Sequence, residues 1–217
     1  MLDNSEFILL HTTKFGESSI ILHTLSKKYG RKGLFIKSMP RRSVTSLFFP
    51  LSILEADILD TGKSRMFSAR NVSSRYTLSG IRNNLSKSAI SMFMSEVLYR
   101  VVKEGMNDPS LYDVCVKNIL LLDAMDTDFS NFHLYFLLEF IIALGFSPES
   151  RELAPFVGEH LPVVSRFVSL PFSEAMLMPM SGELRNEIAE RLLKYIEYHT
   201  ESAVNVNSLK VLREIFR

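Results

Sequence analysis

Apolar and polar positions change their period near residue 80. Before it, apolar residues come in short runs: 7–10, 19–25, 29–37, 51–59 and 64–76. Turn formers separate the runs, at Phe15-Gly16, Lys28-Tyr29-Gly30, Met39-Pro40, Phe49-Pro50 and Thr61-Gly62. Short branched and aromatic runs between Gly and Pro signals predict strands. Five of them within residues 1–80 predict a small closed or partly open β-barrel. By count and length an OB-type barrel fits best, although strand count alone does not separate it from an SH3-like one.

Beyond Gly80 the spacing becomes three and four. Leu85, Ala89, Met92, Phe93, Val97 and Val101 predict an amphipathic helix that Gly105 stops. Asp108 followed by Pro109 reads as an N-cap with proline at the first helical position. That helix runs through Leu111, Cys115, Ile119 and Leu122. Further helices are predicted over 130–144, closed by Gly145, and over 182–199. A short last one carries Leu209, Leu212, Ile215 and Phe216. Pro155, Pro162, Pro171 and Pro179 punctuate 151–180, which reads as irregular with room for one short helix or strand. The fold class expected is therefore α+β and multi-domain: a five-stranded OB-type barrel over 1–80, then an all-α domain over 81–217 with an irregular Pro-rich insert at about 147–180.

Composition permits a sizeable core, with 47% hydrophobic residues and 16 Phe among 217. The longest apolar run, 132–146, is broken by His133 and Glu139 and falls short of the roughly 18 residues of a membrane span. It predicts a buried helix, and no membrane partner is expected. The opening MLDNSEF has no basic segment leading into an apolar stretch, so no secretion signal is read there. A lone cysteine, Cys115, allows no internal disulfide and fits a reducing cytoplasm. Its apolar helical setting makes it a small core residue.

Charge changes the picture more than composition does. The net is only +1, yet residues 1–80 carry 12 Lys/Arg against 6 Asp/Glu, and residues 81–217 carry 13 against 18. Residues 18–54 contain no acidic residue but hold Lys27, Lys28, Arg31, Lys32, Lys37, Arg41 and Arg42. A one-signed surface attracts a polyanion, because each neutralised phosphate releases condensed counterions. Tyr29, Phe35, Phe48 and Phe49 are interleaved with these cations. OB barrels bind single strands by joining a cationic groove to aromatic faces on which bases stack. Tyr29 is assigned such a stacking face. Strand alternation must bury one side, and Phe35 is assigned to the core. The stretch 39–43, with Arg41 and Arg42, reads as a loop able to follow a phosphate backbone.

Catalytic chemistry finds little support. Gly62-Lys63-Ser64 resembles the end of a phosphate-binding loop, but Asp57 stands where its first glycine belongs, and strand rather than helix follows. A hairpin turn is the better reading. His11, His23, His133, His160 and His199 form no i, i+4 pair, and one cysteine cannot build a four-ligand zinc site. No nucleophile motif of the G-x-S-x-G kind occurs. His133 reads as a core or boundary residue, and His199 as one placed near a helix C-terminus. No enzyme, cofactor or metal is expected.

The order of several motifs is familiar. Phe15-Gly16-Glu17-Ser18-Ser19, then Thr24, then Tyr29-Gly30-Arg31 resembles the "YGESD…T…HG" opening of the bacterial RecO recombination-repair family. The basic stretch 37–42 falls where that family is rich in Lys and Arg. LFFPLSILEAD at 47–57 is similar to its "L.P…LE.E" strand, and Arg82-Asn83-Asn84-Leu85 to its "R.DL" entry into the helical part. Tyr195-Ile196-Glu197-Tyr198-His199, followed by Ser208-Leu209, resembles the closing "Y…H…SL" region. The resemblance implies an OB barrel followed by a helical domain. It also implies a non-enzymatic mediator that binds single- and double-stranded DNA and anneals strands. The partners it implies are single-strand-binding protein and RecR, with help in loading the RecA recombinase, in the cytoplasm at the nucleoid. Many members carry a four-cysteine zinc module; this chain lacks the cysteines, so the module is not carried over.

Two readings follow. In the first, Lys27, Lys28, Arg31, Lys32, Lys37, Arg41 and Arg42 neutralise phosphates and Tyr29 stacks, so that the chain mediates recombination. In the second, the helical domain is an adaptor that binds acidic peptide tails; Met92, Phe93 and Met94 read as core and helix-surface residues, with a peptide groove of exposed Met and Phe as the alternative.

Overall fold

The computed structural model describes residues 2–37, 47–60 and 66–216. These form two compact units, one made of Met1–Leu78 and Val102–Val116, the other of Ser79–Val101 and Lys117–Arg217. A single cut near residue 80 therefore does not separate them.

The first unit is a closed barrel with strand order β1-β2-β3-β5-β4. Its strands are β1 (Leu2–Phe15), β2 (Ser19–Ser26), β3 (Gly30–Ile36), β4 (Ile53–Leu59) and β5 (Phe67–Ser74). β1 runs well past the apolar stretch 7–10. Its first half pairs with β4, from Leu2↔Leu59 to Ile8↔Ile53, and its second half with β2, from Ile8↔Leu25 to Phe15↔Ser19. A register shift between Leu9 and His11 separates the halves, and one long bent strand thus serves two neighbours. β2 and β3 form a hairpin from Ile20↔Ile36 to Ser26↔Gly30. Two parallel pairs, Leu34↔Phe67 and Phe35↔Ser68, close the ring. The interior is filled by the inward set Phe7, Leu9, Ile20, Leu22, Leu34, Ile36, Leu54, Ala56, Ile58, Phe67 and Ala69.

Alternation corrects one assignment. Leu34 and Ile36 point inward, so Phe35 between them points out and is only half-buried. Phe48 packs against the barrel core and Phe49 is half-buried. The segment after residue 101 lies along the hairpin. Arg31 N–H donates to the Met106 carbonyl at 3.0 Å, and Gly105 N–H donates to the Arg31 carbonyl at 3.3 Å.

Helix α3 (Pro109–Ala124) starts as its sequence predicts, with Asp108 Oδ1 accepting from the backbone N–H groups of Ser110 and Leu111 at 2.9 and 3.2 Å. These hydrogen bonds, led by that of the Ser110 hydroxyl, hold the Asp108 carboxyl below its usual range. The first part of α3 belongs to the barrel unit and the remainder to the helical one.

The helical unit contains α1 (Ser79–Arg82), α2 (Leu85–Val101), α4 (Phe132–Ala143), α5 (Ser150–Val157), α6 (Leu161–Ser169), α7 (Phe172–Leu177), α8 (Gly182–Thr200) and α9 (Ser208–Ile215). Helix α4 packs on α8, and α2 on α9. Phe93, Val97, Phe136, Phe140, Leu192 and Ile196 are wholly buried. The buried stripe of α2 is Ala89, Ile90, Phe93, Met94, Val97 and Leu98, whereas Leu85 and Met92, expected on it, are 78% and 44% exposed. His133 is buried, its ring against Phe93 and Phe216 at 6.0 and 6.4 Å between centroids.

The Pro-rich stretch also needs correction: it is helical through α5, a 3₁₀ turn at Gly158–His160, α6 and α7. Pro162 lies in the first turn of α6 and Pro171 is the N-cap of α7. Proline needs no amide partner there, so these prolines mark helix starts rather than irregular chain. Among the described residues no helix is long and apolar enough to cross a membrane.

Candidate nucleic-acid interface

The β2–β3 turn gathers three of the expected cations. Lys27 Nζ contacts both carboxylate oxygens of Asp113, at 2.6 and 2.9 Å. Lys28 Nζ donates to Asp3 Oδ2 at 2.9 Å, and the Tyr29 hydroxyl donates to the same oxygen at 2.5 Å. With Ser5 also donating, Asp3 is held far below the usual carboxylate range, chiefly by Tyr29 and then by Lys28. The Asp3 hydrogen bond in turn raises the Lys28 pKa. The Arg31 guanidinium donates to the Val102 carbonyl. Both lysine pairs are more than half exposed on the lysine side. Exposed pairs of this kind are weak, because solvent screens them.

Tyr29 is not presented as an open stacking face. Its ring meets Phe67 edge-on at 5.0 Å, Lys28 Nζ lies 5.1 Å from the ring centre, and the residue is half-buried. Lys32 is also half-buried, its Nζ 5.2 Å from the Phe67 ring. Lys37 is exposed at the far end of β3. The hairpin spans about 20 Å between its turn and that end, at roughly 3.3 Å per residue. The structure therefore divides the expected cations between the two ends of the β2–β3 hairpin. Arg41, Arg42 and the Gly62-Lys63-Ser64 turn lie outside the described residues.

The Lys37 end holds residues that the charge pattern did not single out. Lys14 and Arg70 are exposed, and among the described residues neither they nor Lys37 pairs with a carboxylate. Both lie outside the acid-free stretch 18–54 that marks the other cations. Phe15, at the end of β1, is 57% exposed, and its ring meets that of Phe35 edge-on at 5.7 Å. On the same outer surface Thr13 Oγ1 lies 3.0 Å from His23 Nε2. Burial, with His11 and Arg31 nearby, lowers the His23 pKa.

Residues 1–76 match the family description "Recombination protein O N terminal", and residues 82–154 match "Recombination protein O C terminal". A "DNA repair protein RecO" of Bacteroides fragilis is 30% identical over 242 aligned positions that cover all of both chains. Proteins of the same name from Phocaeicola vulgatus and Christiangramia forsetii are each 28% identical, again over the whole of both chains. The chain belongs to the RecO family.

The zinc module that the resemblance brings to mind does not fit this RecO member. Cys115 is its one cysteine, and it is buried, with burial pushing the thiol up to about 12. One cysteine cannot supply the four thiolates of such a module. Among the described residues no group of three or more His, Cys, Asp or Glu is placed to hold a metal.

Proposed function

We propose that this chain is a non-enzymatic DNA-binding mediator of recombination and repair. It binds single- and double-stranded DNA through its barrel and anneals complementary strands. With single-strand-binding protein and RecR it helps load the RecA recombinase on coated DNA. The observation that carries the reading is the set of exposed cations on a five-stranded barrel within a RecO-family chain. Lys14, Lys37 and Arg70 contact phosphate directly, while Lys27 and Lys28 exchange Asp113 and Asp3 for it. Arg31, Lys32, Arg41 and Arg42 add to the same field.

Annealing then needs no catalytic residue. Two like-charged strands approach once cations on the barrel neutralise part of their backbone charge. The test is annealing of complementary strands already coated with single-strand-binding protein, together with the salt dependence of oligonucleotide binding. With about five phosphates contacted on a single strand, the log–log salt slope is near −3.5. Acceleration of annealing with a slope of this size supports the reading. A slope near zero, or no acceleration on coated strands, defeats it.

A further inference from the structure

We infer that Phe15 and Phe35 form a base-stacking platform on the outer surface of the barrel, which makes binding selective for single-stranded DNA over duplex. The inference rests on the barrel being a DNA-binding module, and it adds what that reading lacks, a device for telling strands apart.

Register assembles the platform. Thr13↔Ile21, Ile21↔Phe35 and Phe35↔Ser68 place four residues in one row across β1, β2, β3 and β5. All four lie outside the core set, because the inward positions of these strands are taken by Leu22, Leu34 and Phe67. Phe15 stands two residues beyond Thr13 on the same side of β1. Its ring is nearly perpendicular to that of Phe35, at 87°. An edge-to-face pair fixes one ring against the other and leaves a flat face open. Phe15 is 57% exposed, so the core makes little use of it.

A lone exposed apolar side chain is ordinary on a protein surface. What sets this pair apart is the charge around it. Lys37 follows Phe35 by two residues and Arg70 follows Ser68 by two on the neighbouring strand, so both share the platform's side, while Lys14 stands beside Phe15 on the alternate side at the end of β1. All three cations are exposed, and none is paired with a carboxylate among the described residues. From residue 15 to 37 the sequence holds one acidic residue, Glu17. Aromatic faces flanked by unpaired cations complement a chain whose flat apolar groups hang from a polyanionic backbone, which is single-stranded DNA. In a duplex the base faces are covered by their neighbours, so only the phosphate contacts remain available.

The experiment uses the full chain and three ligands of equal length: a single-stranded oligonucleotide, its duplex, and an abasic single strand that keeps the phosphates. Phe15→Ala and Phe35→Ala should each weaken single-strand binding about 5- to 150-fold, the range for loss of one stacked base. Duplex and abasic binding should stay within about twofold of the parent, with the salt slope unchanged. Because Phe35 is half-buried, an independent readout is added. The chain has no tryptophan, so Phe15→Trp installs a single reporter. Its emission should be quenched by the single strand and not by the abasic one.

Equal losses on all three ligands, no loss on the single strand, or an unquenched reporter each overturn the platform. If the parent binds DNA with the expected salt slope but the alanine variants bind equally well, the platform alone fails. If the parent binds no oligonucleotide, the DNA-binding reading falls with it.

Discussion

A β-carbon at Gly30 would stand 2.0 Å from the carbonyl oxygen of Met106, and Gly30 has a φ of +61°. Both space and backbone conformation demand glycine there, because the neighbouring Arg31 is tied to Gly105 and Met106 by two backbone hydrogen bonds. Gly30→Ala should cost on the order of 3–5 kcal/mol, since the 105–106 segment must move away from the hairpin. Gly16 has a similar φ of +65° but nothing within 4 Å of the same position. Gly16→Ala should therefore cost only about 1–2 kcal/mol. Denaturant midpoints of the two variants check the contrast, and equal losses would contradict it.

The cations at the two ends of the β2–β3 hairpin should respond differently to substitution. Lys14→Ala, Lys37→Ala and Arg70→Ala remove charges with no carboxylate partner among the described residues, and each should lower the single-strand salt slope by about 0.7. They should weaken all sequences alike, because phosphate contacts carry no base information. Lys27→Ala and Lys28→Ala should have smaller effects on affinity, since each lysine must first leave Asp113 or Asp3. Filter binding or anisotropy across a salt series measures both quantities. Sequence-dependent losses at Lys14 or Lys37 would show that those residues are not phosphate contacts.

The change of period at residue 80 was enough to read barrel and helices, because strand and helix periodicities differ so plainly. Asp108-Pro109 located the start of α3 for the same local reason. The apolar run 7–10 marks only the middle of β1, because its flanks, Asp3, Asn4 and Ser5 on one side and Thr12, Thr13 and Lys14 on the other, are polar and gain strand structure from β4 and β2. Over 151–180, Pro162 and Pro171 mark helix starts and Pro155 is accommodated inside α5, so the proline pattern hid helices. In the site, strand parity could have sent Phe35 outward, since Leu34 and Ile36 already claimed the inside. The Lys27–Asp113 and Lys28–Asp3 pairs join residues 86 and 25 positions apart, and no local pattern announces such contacts.

Lys87 should be indispensable to the helical unit. It is 3% exposed, and its ammonium donates to the carbonyls of Asp123, at 3.1 Å, and Met125. The Phe129 ring centre lies 5.5 Å from the same nitrogen. These carbonyls stand at the C-terminal end of α3, where they lack partners within the helix. Lys87→Met keeps the volume and removes the donors, and should cost about 2–4 kcal/mol. A loss under about 0.5 kcal/mol in urea unfolding would mean that the ammonium is not needed there.

His133 gives the fold a defined acid sensitivity. Burial, reinforced by the Arg185 guanidinium, pushes its pKa down to about 3, well below the usual 6.5. Below pH 6.5 the unfolded chain takes up a proton that the folded chain excludes. Stability should therefore fall by about 1.4 kcal/mol per pH unit as the pH drops from 6.5 toward 3, and this contribution is constant above 6.5. His133→Phe retains the ring between Phe93 and Phe216 and should flatten the slope between pH 6.5 and 5, where few carboxylates titrate. Identical slopes in parent and variant would place the imidazole in contact with solvent.

The ring closure through Leu34↔Phe67 and Phe35↔Ser68 ties β3 to β5, so among the described residues the barrel is not an open sheet with two full-length edges. An extended peptide or a second copy therefore has no long edge strand to continue. On the function proposed above, side chains would hold the nucleic acid, and one strand could be released and another taken up without unravelling the scaffold that carries them.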